Sequence, residues 1–190
     1  MPMPKERPLK IASHGAWRSP ITSDLITSRS VGLSEVRFDG LDIYWLESRP
    51  EEDGRNVVVR NVPGSTKGED ILPKPFNART RVHEYGGGAW TVAEGTLYFS
   101  NFADQRIYRL NDAAAEPLPI TPQGAFRYAD GLIDSERRSW IGVREDHTAS
   151  DREAANTIVR IDLRTLQQES PGRKKQKQYR GDAVHIVVRE

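Results

Sequence analysis

The sequence predicts an all-β fold, a partial β-propeller with about three blades of short antiparallel strands. The first observation is a three-strand unit, rich in β-branched and aromatic residues, that occurs three times. The second is the spacing of the residues that begin equivalent strands, since Ile43, Leu97 and Trp140 lie 54 and 43 residues apart. A propeller closes with about 4–8 blades, so three repeats predict an open ring.

The elements follow from these repeats in chain order. The predicted strands are residues 34–38, 42–47 and 56–60 in the first repeat, 88–93, 96–100 and 105–110 in the second, and 128–133, 139–144 and 156–162 in the third. Asp39-Gly40 and Glu94-Gly95 predict tight turns, because glycine readily adopts the positive φ that short hairpins need. We therefore assign residues 1–30 to an N-terminal arm and lead-in strand, 31–163 to the blades, and 164–190 to a basic, flexible tail.

Composition limits the class of protein. The 190 residues carry a net charge of +1, which does not indicate a nucleic-acid or membrane partner. There is no cysteine, so disulfides, thiol catalysis and thiolate metal sites are excluded. No apolar stretch approaches the ~20 residues of a membrane span, and the N-terminus lacks the apolar core of a secretory signal. We expect a cytoplasmic protein without a cofactor.

The most unusual string is Arg81-Val-His-Glu-Tyr-Gly-Gly-Gly-Ala-Trp90. Three consecutive glycines allow close backbone approach. One interpretation places Arg81, His83, Glu84 and Tyr85 on the rim of a substrate channel. The other, which we favour, is a structural role for the glycines in a crowded inner strand.

A second polar string, Phe126-Arg-Tyr-Ala-Asp-Gly131, occupies the matching place in the third repeat. Arg127, Tyr128 and Asp130 are therefore added to the predicted rim. Ion pairs between blades are the alternative role for these residues, and the one we favour.

Searches for catalytic and metal motifs fail. Glu145 and His147 share one face of a predicted strand, but a third metal ligand is not identifiable, so a surface strand end is the favoured interpretation. The nucleophile pattern Gly-x-Ser-x-Gly does not occur, and no catalytic residue is predicted. The basic run 173–180 is interpreted as a solvated linker rather than a nucleic-acid site.

Several strings together resemble the N-terminal region of bacterial prolyl oligopeptidase-family serine peptidases, closest to the acylaminoacyl-peptidase or dipeptidyl-aminopeptidase-like members. The likeness covers residues 11–163, and the strings are Trp17-Arg-Ser-Pro-Ile-Thr22, Asp42-Ile-Tyr-Trp-Leu-Glu-Ser-Arg-Pro50, Arg79-Thr-Arg-Val-His-Glu-Tyr-Gly-Gly-Gly88, Tyr98-Phe-Ser-Asn-Phe-Ala-Asp-Gln-Arg-Ile-Tyr108, Arg127-Tyr-Ala-Asp130 and Val143-Arg-Glu-Asp-His147.

The resemblance implies a propeller that restricts the access of small peptides to an α/β-hydrolase domain. The sequence departs from the family after about Leu163, and we interpret this as a truncated or frame-shifted reading frame. The chain is thus predicted to be a non-catalytic propeller segment. Its peptide substrates would be bound through a hydrolase domain that is missing here. The alternative is a free-standing binding module that completes its ring by self-association through exposed blade edges. A small enzyme using His83 and Glu84 is disfavoured, because half a ring offers little burial.

Overall fold

Three four-stranded antiparallel sheets follow one another along the chain in a computed structural model. The structure describes residues 13, 15, 21, 30–111, 113–149 and 153–170. Within these residues the regular structure is all β apart from one 3₁₀ turn, Pro50–Glu52. The predicted all-β, three-blade architecture is confirmed.

Each sheet is one blade, with its strands in chain order. Blade 1 contains β1 (Gly32–Asp39), β2 (Asp42–Arg49), β3 (Arg55–Asn61) and β4 (Glu69–Asp70). Blade 2 contains β5 (Trp90–Ala93), β6 (Thr96–Ser100), β7 (Ile107–Leu110) and β8 (Leu118–Pro119). Blade 3 contains β9 (Phe126–Asp134), β10 (Ser139–Asp146), β11 (Ala155–Asp162) and β12 (Gln168–Glu169).

The fourth strand of each blade is absent from the prediction. These strands have two residues each, too few to show the alternation by which a strand is recognised. Residues 168–169 were assigned to the tail, but they pair with β11. Blade 3 therefore extends to Glu169, six residues past the predicted boundary at 163. Residues 171–190, including the basic run, and most of the arm 1–30 lie outside the described residues.

Neighbouring blades pack through apolar sheet faces. The cluster between blades 1 and 2 joins Tyr44, Leu46 and Val58 to Trp90, Leu97 and Phe99, among others. The cluster between blades 2 and 3 joins Tyr98, Ile107 and Ile120 to Tyr128, Trp140, Val159 and Ile161. Burial of these faces is the main stabilisation of the array, since apolar area removed from water contributes roughly 25 cal/mol per Å².

The innermost strands of blades 1 and 3 share a β-bulge. The pairing of β1 with β2 shifts register between Ser34 and Arg37. The pairing of β9 with β10 shifts register opposite the segment between Ile141 and Val143. At each bulge one acidic residue has a positive φ, 52° at Glu35 and 56° at Asp130. Bulges commonly re-aim side chains, and these two present a carboxylate at the same position of two different blades.

Candidate functional site

The glycine string lies against the innermost strand of blade 3. The N–H of Gly88 donates to Asp130 Oδ1 at 2.7 Å, and the N–H of Asp130 donates to the Gly88 carbonyl oxygen at 2.8 Å. A Cβ added at Gly88 would lie 3.0 Å from Asp130 Oδ1, and one at Gly87 would lie 3.0 Å from Ala129 Cβ. The glycines therefore permit the close approach of two blades, and Asp130 holds them together by hydrogen bonds rather than an ion pair.

Glu145, at the end of β10, is the centre of a polar cluster between the loop before β5 and blade 3. Its side chain is 5% exposed. Oε1 accepts the His83 backbone N–H at 2.6 Å, and Oε2 lies 3.0 Å from His147 Nε2. His83 Nδ1 is 3.5 Å from Oε1, and Arg127 Nη1 is 3.8 Å from Oε2. The favoured interpretation of Glu145 as a surface strand end is wrong, because the loop at His83 covers it.

The electrostatics of Glu145 reflect two opposing effects. Burial alone would raise the pKa of this carboxyl, but the His83 N–H, the hydrogen bond from His147 and the nearby histidine charges outweigh it, and the pKa lies below its ordinary value of 4.5. The carboxylate is therefore ionised at neutral pH. A buried anion with these partners anchors the loop to blade 3.

Arg81 and Arg127 extend the same cluster. Arg127 Nη1 donates to the Arg81 carbonyl oxygen at 2.9 Å, and the Arg81 N–H donates to Gln105 Oε1 at 2.8 Å. The Arg81 guanidinium carbon lies 4.3 Å from the centre of the Phe102 ring, a cation–π arrangement. The Arg81 backbone is therefore held by Gln105, next to β7 of blade 2, and by Arg127 of blade 3.

The predicted rim residues lie in three places. Arg81, His83, Glu84 and Tyr85 lie together on the loop surface, where Tyr85 is 96% exposed. His83 and Glu84 both have positive φ, 57° and 61°, which turns the loop sharply. Arg127 joins them through the Arg81 carbonyl. Asp130 lies at the glycine contact, and its exposed side chain faces Gly88.

Tyr128 is placed elsewhere. It is 1% exposed, and its hydroxyl pairs with the Gln168 side chain, with Tyr128 Oη and Gln168 Oε1 3.2 Å apart. Its ring meets Trp140 edge to face. Tyr128 is a core residue between blades 2 and 3 and not part of an exposed rim, because alternation along β9 points it towards blade 2.

The bulge of blade 1 adds residues that sequence reasoning missed. Glu35 lies beside Arg37, with Oε2 and Nη2 3.8 Å apart, and the Arg37 guanidinium stacks over the Trp90 ring at 5.1 Å. Burial raises the pKa of Glu35, Arg37 opposes the rise, and the Asp130 carboxylate adds to it. The buried Trp90 indole also faces the Glu35 carboxyl and lowers its pKa. A charged residue inside a strand pattern was the available signal.

The arrangement offers binding chemistry. Exposed guanidinium, imidazole, carboxyl and phenol groups lie on a loop whose backbone is held by hydrogen bonds, and these groups can donate or accept hydrogen bonds. Among the described residues, no group of three His, Asp or Glu side chains could hold a metal ion. In that same part of the chain, no helix is long and apolar enough to cross a membrane.

Solved structures give the comparison. A puromycin hydrolase matches 82% of this chain and 25% of its own at 32% identity and a TM-score of 0.71. An S511A mutant of puromycin hydrolase complexed with PGG matches at 34% identity, over 80% of this chain and 25% of its own, with a TM-score of 0.71. A puromycin-hydrolyzing peptidase of Mycobacterium tuberculosis matches at 38% identity, over 78% of this chain and 24% of its own, with a TM-score of 0.67.

Other comparisons give no match. No protein-family model matches the chain, and no curated protein matches it. The chain spans about a quarter of the length of the solved relatives. The agreement in fold and sequence with these peptidases confirms the resemblance that the motifs indicate, and the chain belongs to the propeller region of the prolyl oligopeptidase-family serine peptidases.

Proposed function

We propose that the chain is a non-catalytic propeller segment that restricts the access of small peptides to the hydrolase domain of a prolyl oligopeptidase-family serine peptidase. The observation that carries the proposal is the match to a quarter of each puromycin-hydrolysing relative, at 32–38% identity. The cytoplasmic location indicated by the sequence is part of the same proposal.

The loop around Arg81 and Tyr85 is the proposed contact with peptides. Its backbone is held by Glu145, Gln105 and Arg127, while its side chains at Arg81 and Tyr85 are exposed. A held backbone with exposed side chains suits size selection, because little ordering entropy is lost when a substrate touches it. Asp130 would support this rim by fixing Gly88.

A chimera tests this proposal. Residues 31–169 would replace the matching segment of the mycobacterial relative, and kcat/KM would be measured for a chromogenic dipeptide and for a long peptide. We expect cleavage of the short substrate and exclusion of the long one. Replacing residues 81–85 by glycine and serine should raise the long-to-short ratio by about tenfold, the scale of a lost steric contact of roughly 1.4 kcal/mol.

Two outcomes would contradict the proposal. One is an unchanged long-to-short ratio after the loop replacement, with Leu118→Ala on β8 as the control for a change away from the loop. The other is hydrolysis of aminoacyl or dipeptidyl substrates by the 190-residue chain alone, if a serine-directed inhibitor blocks it. The first outcome would contradict the proposed role of the loop in substrate selection. The second outcome would contradict the proposal that the chain is non-catalytic.

A second candidate is a free-standing binding module whose ring is completed by other chains. The observation that favours it is the exposure of large apolar side chains on both outer sheet faces, among them Phe38 and Leu132. Exposed apolar patches of this kind often mark interaction surfaces. The size of the chain in solution tests it, because a monomer at all concentrations would be inconsistent with ring completion.

A further inference from the structure

A cavity of about 560 Å³ lies between blades 2 and 3. Its walls include Pro119 of β8 and Gln168 of β12, the outermost strands of the two blades, so the cavity lies at the outer edge of their junction. Its volume is within the roughly 300–1,000 Å³ of pockets that hold small molecules. Both blades have four strands, and the cavity is therefore a feature of a junction between two whole blades.

The larger part of the cavity wall is apolar. Blade 2 and the segment after it contribute Pro119, Ile120 and Pro122, and blade 3 contributes Phe126 and Leu166. Ile120 belongs to the buried cluster between the blades, whereas Leu166 is 41% exposed. The apolar wall therefore runs from the core to the surface. An apolar group that entered the cavity would remove this surface from water, which is favourable.

The charges in the wall are both positive. They belong to Arg106 and Arg144, and among the described residues no Asp or Glu side chain lines the cavity. In the same part of the chain neither guanidinium forms an ion pair. Arg49 of blade 1, by contrast, is paired with Asp70 and with two glutamates. The cavity thus carries positive charge that no carboxylate in its wall neutralises.

Arg144 is held in place with an unused donor. Its guanidinium carbon lies 5.1 Å from the centre of the Phe126 ring, a cation–π contact that consumes no N–H donor. Nη1 lies 3.5 Å from Gln168 Oε1. Nε is buried and has no hydrogen-bond partner within the described part of the chain. A buried donor without an acceptor is costly, so an acceptor supplied by a ligand would be favourable.

Arg106 is held from the other side of the cavity. Its Nε donates to the Thr121 carbonyl oxygen at 2.8 Å, and its guanidinium also contacts the Tyr108 side chain. These contacts use only part of the five N–H donors of a guanidinium. The remaining donors suit a carboxylate, because guanidinium and carboxylate form charge-assisted hydrogen bonds.

We propose that this cavity binds a small ligand that carries a carboxylate on an aromatic or branched apolar body. The carboxylate binds Arg106 and Arg144, and the apolar body packs on Pro122, Phe126 and Leu166. A free aromatic acid and the C-terminus of a peptide that ends in an apolar residue share this chemistry. The site uses none of the side chains of the loop 81–85, so it goes beyond the function proposed for that loop and does not depend on it.

An NMR titration of the isotope-labelled full chain at pH 7 tests the ligand class. The probe is hydrocinnamate, and we expect saturable one-to-one binding with a Kd on the order of 1 mM or lower, as for other ligands of this size. Hydrocinnamamide keeps the shape without the charge, and propanoate keeps the charge without the ring. Each should bind at least about tenfold more weakly than hydrocinnamate.

The source of the carboxylate is separated by a peptide probe. Tighter binding of N-acetylglycylphenylalanine than of hydrocinnamate would identify a peptide C-terminus, and weaker binding would identify a free acid; both results support the cavity. Equal binding of hydrocinnamate and hydrocinnamamide would overturn the carboxylate assignment. Absence of saturable binding of every probe up to about 10 mM would overturn the site.

Arginine variants test the location. Arg106→Met and Arg144→Met should each weaken hydrocinnamate binding by about tenfold and leave hydrocinnamamide binding unchanged, because the charge is lost and the apolar stem is kept. Arg60→Met is the matched control, since Arg60 lies on β3 of blade 1 and outside the cavity. The amide signals of Thr121 and Gln168 should shift on titration, because both residues line the cavity.

Circular dichroism of each variant checks folding. An unchanged Kd for hydrocinnamate in both folded cavity variants would overturn the proposal, and so would an equal loss with Arg60→Met. If neither cavity variant folds, the ratio of acid to amide affinity in the unaltered chain and the position of the shifted amide signals still decide. Shifts confined to residues outside the junction of blades 2 and 3 would then overturn the site.

Discussion

Replacing the buried Glu145 by glutamine should destabilise the chain by about 2 kcal/mol. Glu145 is 4% exposed. Its carboxylate accepts a hydrogen bond from the His83 N–H at 2.6 Å, and a second one joins it to His147 Nε2 at 3.0 Å. Hydrogen bonds to charged groups contribute roughly 1.5–3 kcal/mol each, and glutamine keeps one acceptor oxygen but loses the charge. The loss should therefore approach the value of one such bond.

Urea denaturation at a fixed protein concentration measures this change, because any association would make stability depend on concentration. With a slope of roughly 1–3 kcal/mol per M, the unfolding midpoint should fall by about 1 M. Glu84→Gln is the matched control, since Glu84 lies exposed on the same loop, and its effect should stay within about 0.5 kcal/mol.

The pH dependence sharpens the test. The folded-state pKa of Glu145 lies below its ordinary value of 4.5, so its stabilisation is fully present above pH 4.5 and is lost as pH falls through the folded value. The difference between wild type and Glu145→Gln should thus be present at pH 6 and shrink as the pH falls below 4.5. An effect equal to that of Glu84→Gln, or a difference that does not shrink in acid, would refute the role assigned to this carboxylate.

Three further outcomes follow from the inner strands. Gly142→Ala should cost about 1–3 kcal/mol, because its Cβ would overlap the Trp140 ring and lie 2.7 Å from a backbone carbonyl oxygen; an unchanged melting temperature would contradict this packing. Glu35→Gln should raise the melting temperature at pH 7 and have no effect in acid, since burial raises the pKa of Glu35 and the ionised form destabilises the fold; a lower melting temperature at pH 7 would argue against it. Asp130→Ala should speed hydrogen exchange at the Gly88 amide by about tenfold or more, because that N–H loses its acceptor, while Asp130→Asn retains an oxygen and should leave exchange slow; equal rates in both variants would count against the contact.

The blades could be predicted because strand alternation is local. The aromatic second strands and the Asp39-Gly40 and Glu94-Gly95 turns indicate hairpins, and all nine main strands are present close to the expected residues. The bulges at Glu35 and Asp130 were not predicted, because the available signal, a charged residue inside a strand pattern, does not distinguish a bulge from an ordinary exposed strand position. The outer strands were too short to show a period.

The site was predicted only in part. The glycine string correctly indicates close backbone approach, which Gly87 and Gly88 make against blade 3. Tyr128 was assigned to the rim with its polar neighbours but belongs to the core. Glu145 was assigned to the surface, because nothing in the strand sequence shows that a loop 62 residues earlier covers it.

The sequence by itself determined the repeating hairpins and the family resemblance of this protein, because both depend on residues adjacent in the chain. Only the tertiary structure decided which side chains meet. The Glu145–His83 and Asp130–Gly88 contacts join residues 62 and 42 positions apart, and they exist because blade stacking brings those backbones together. Blade stacking also decides that Leu97 is buried while Ile43 is exposed. These two residues begin equivalent strands, and only a neighbouring sheet face distinguishes them.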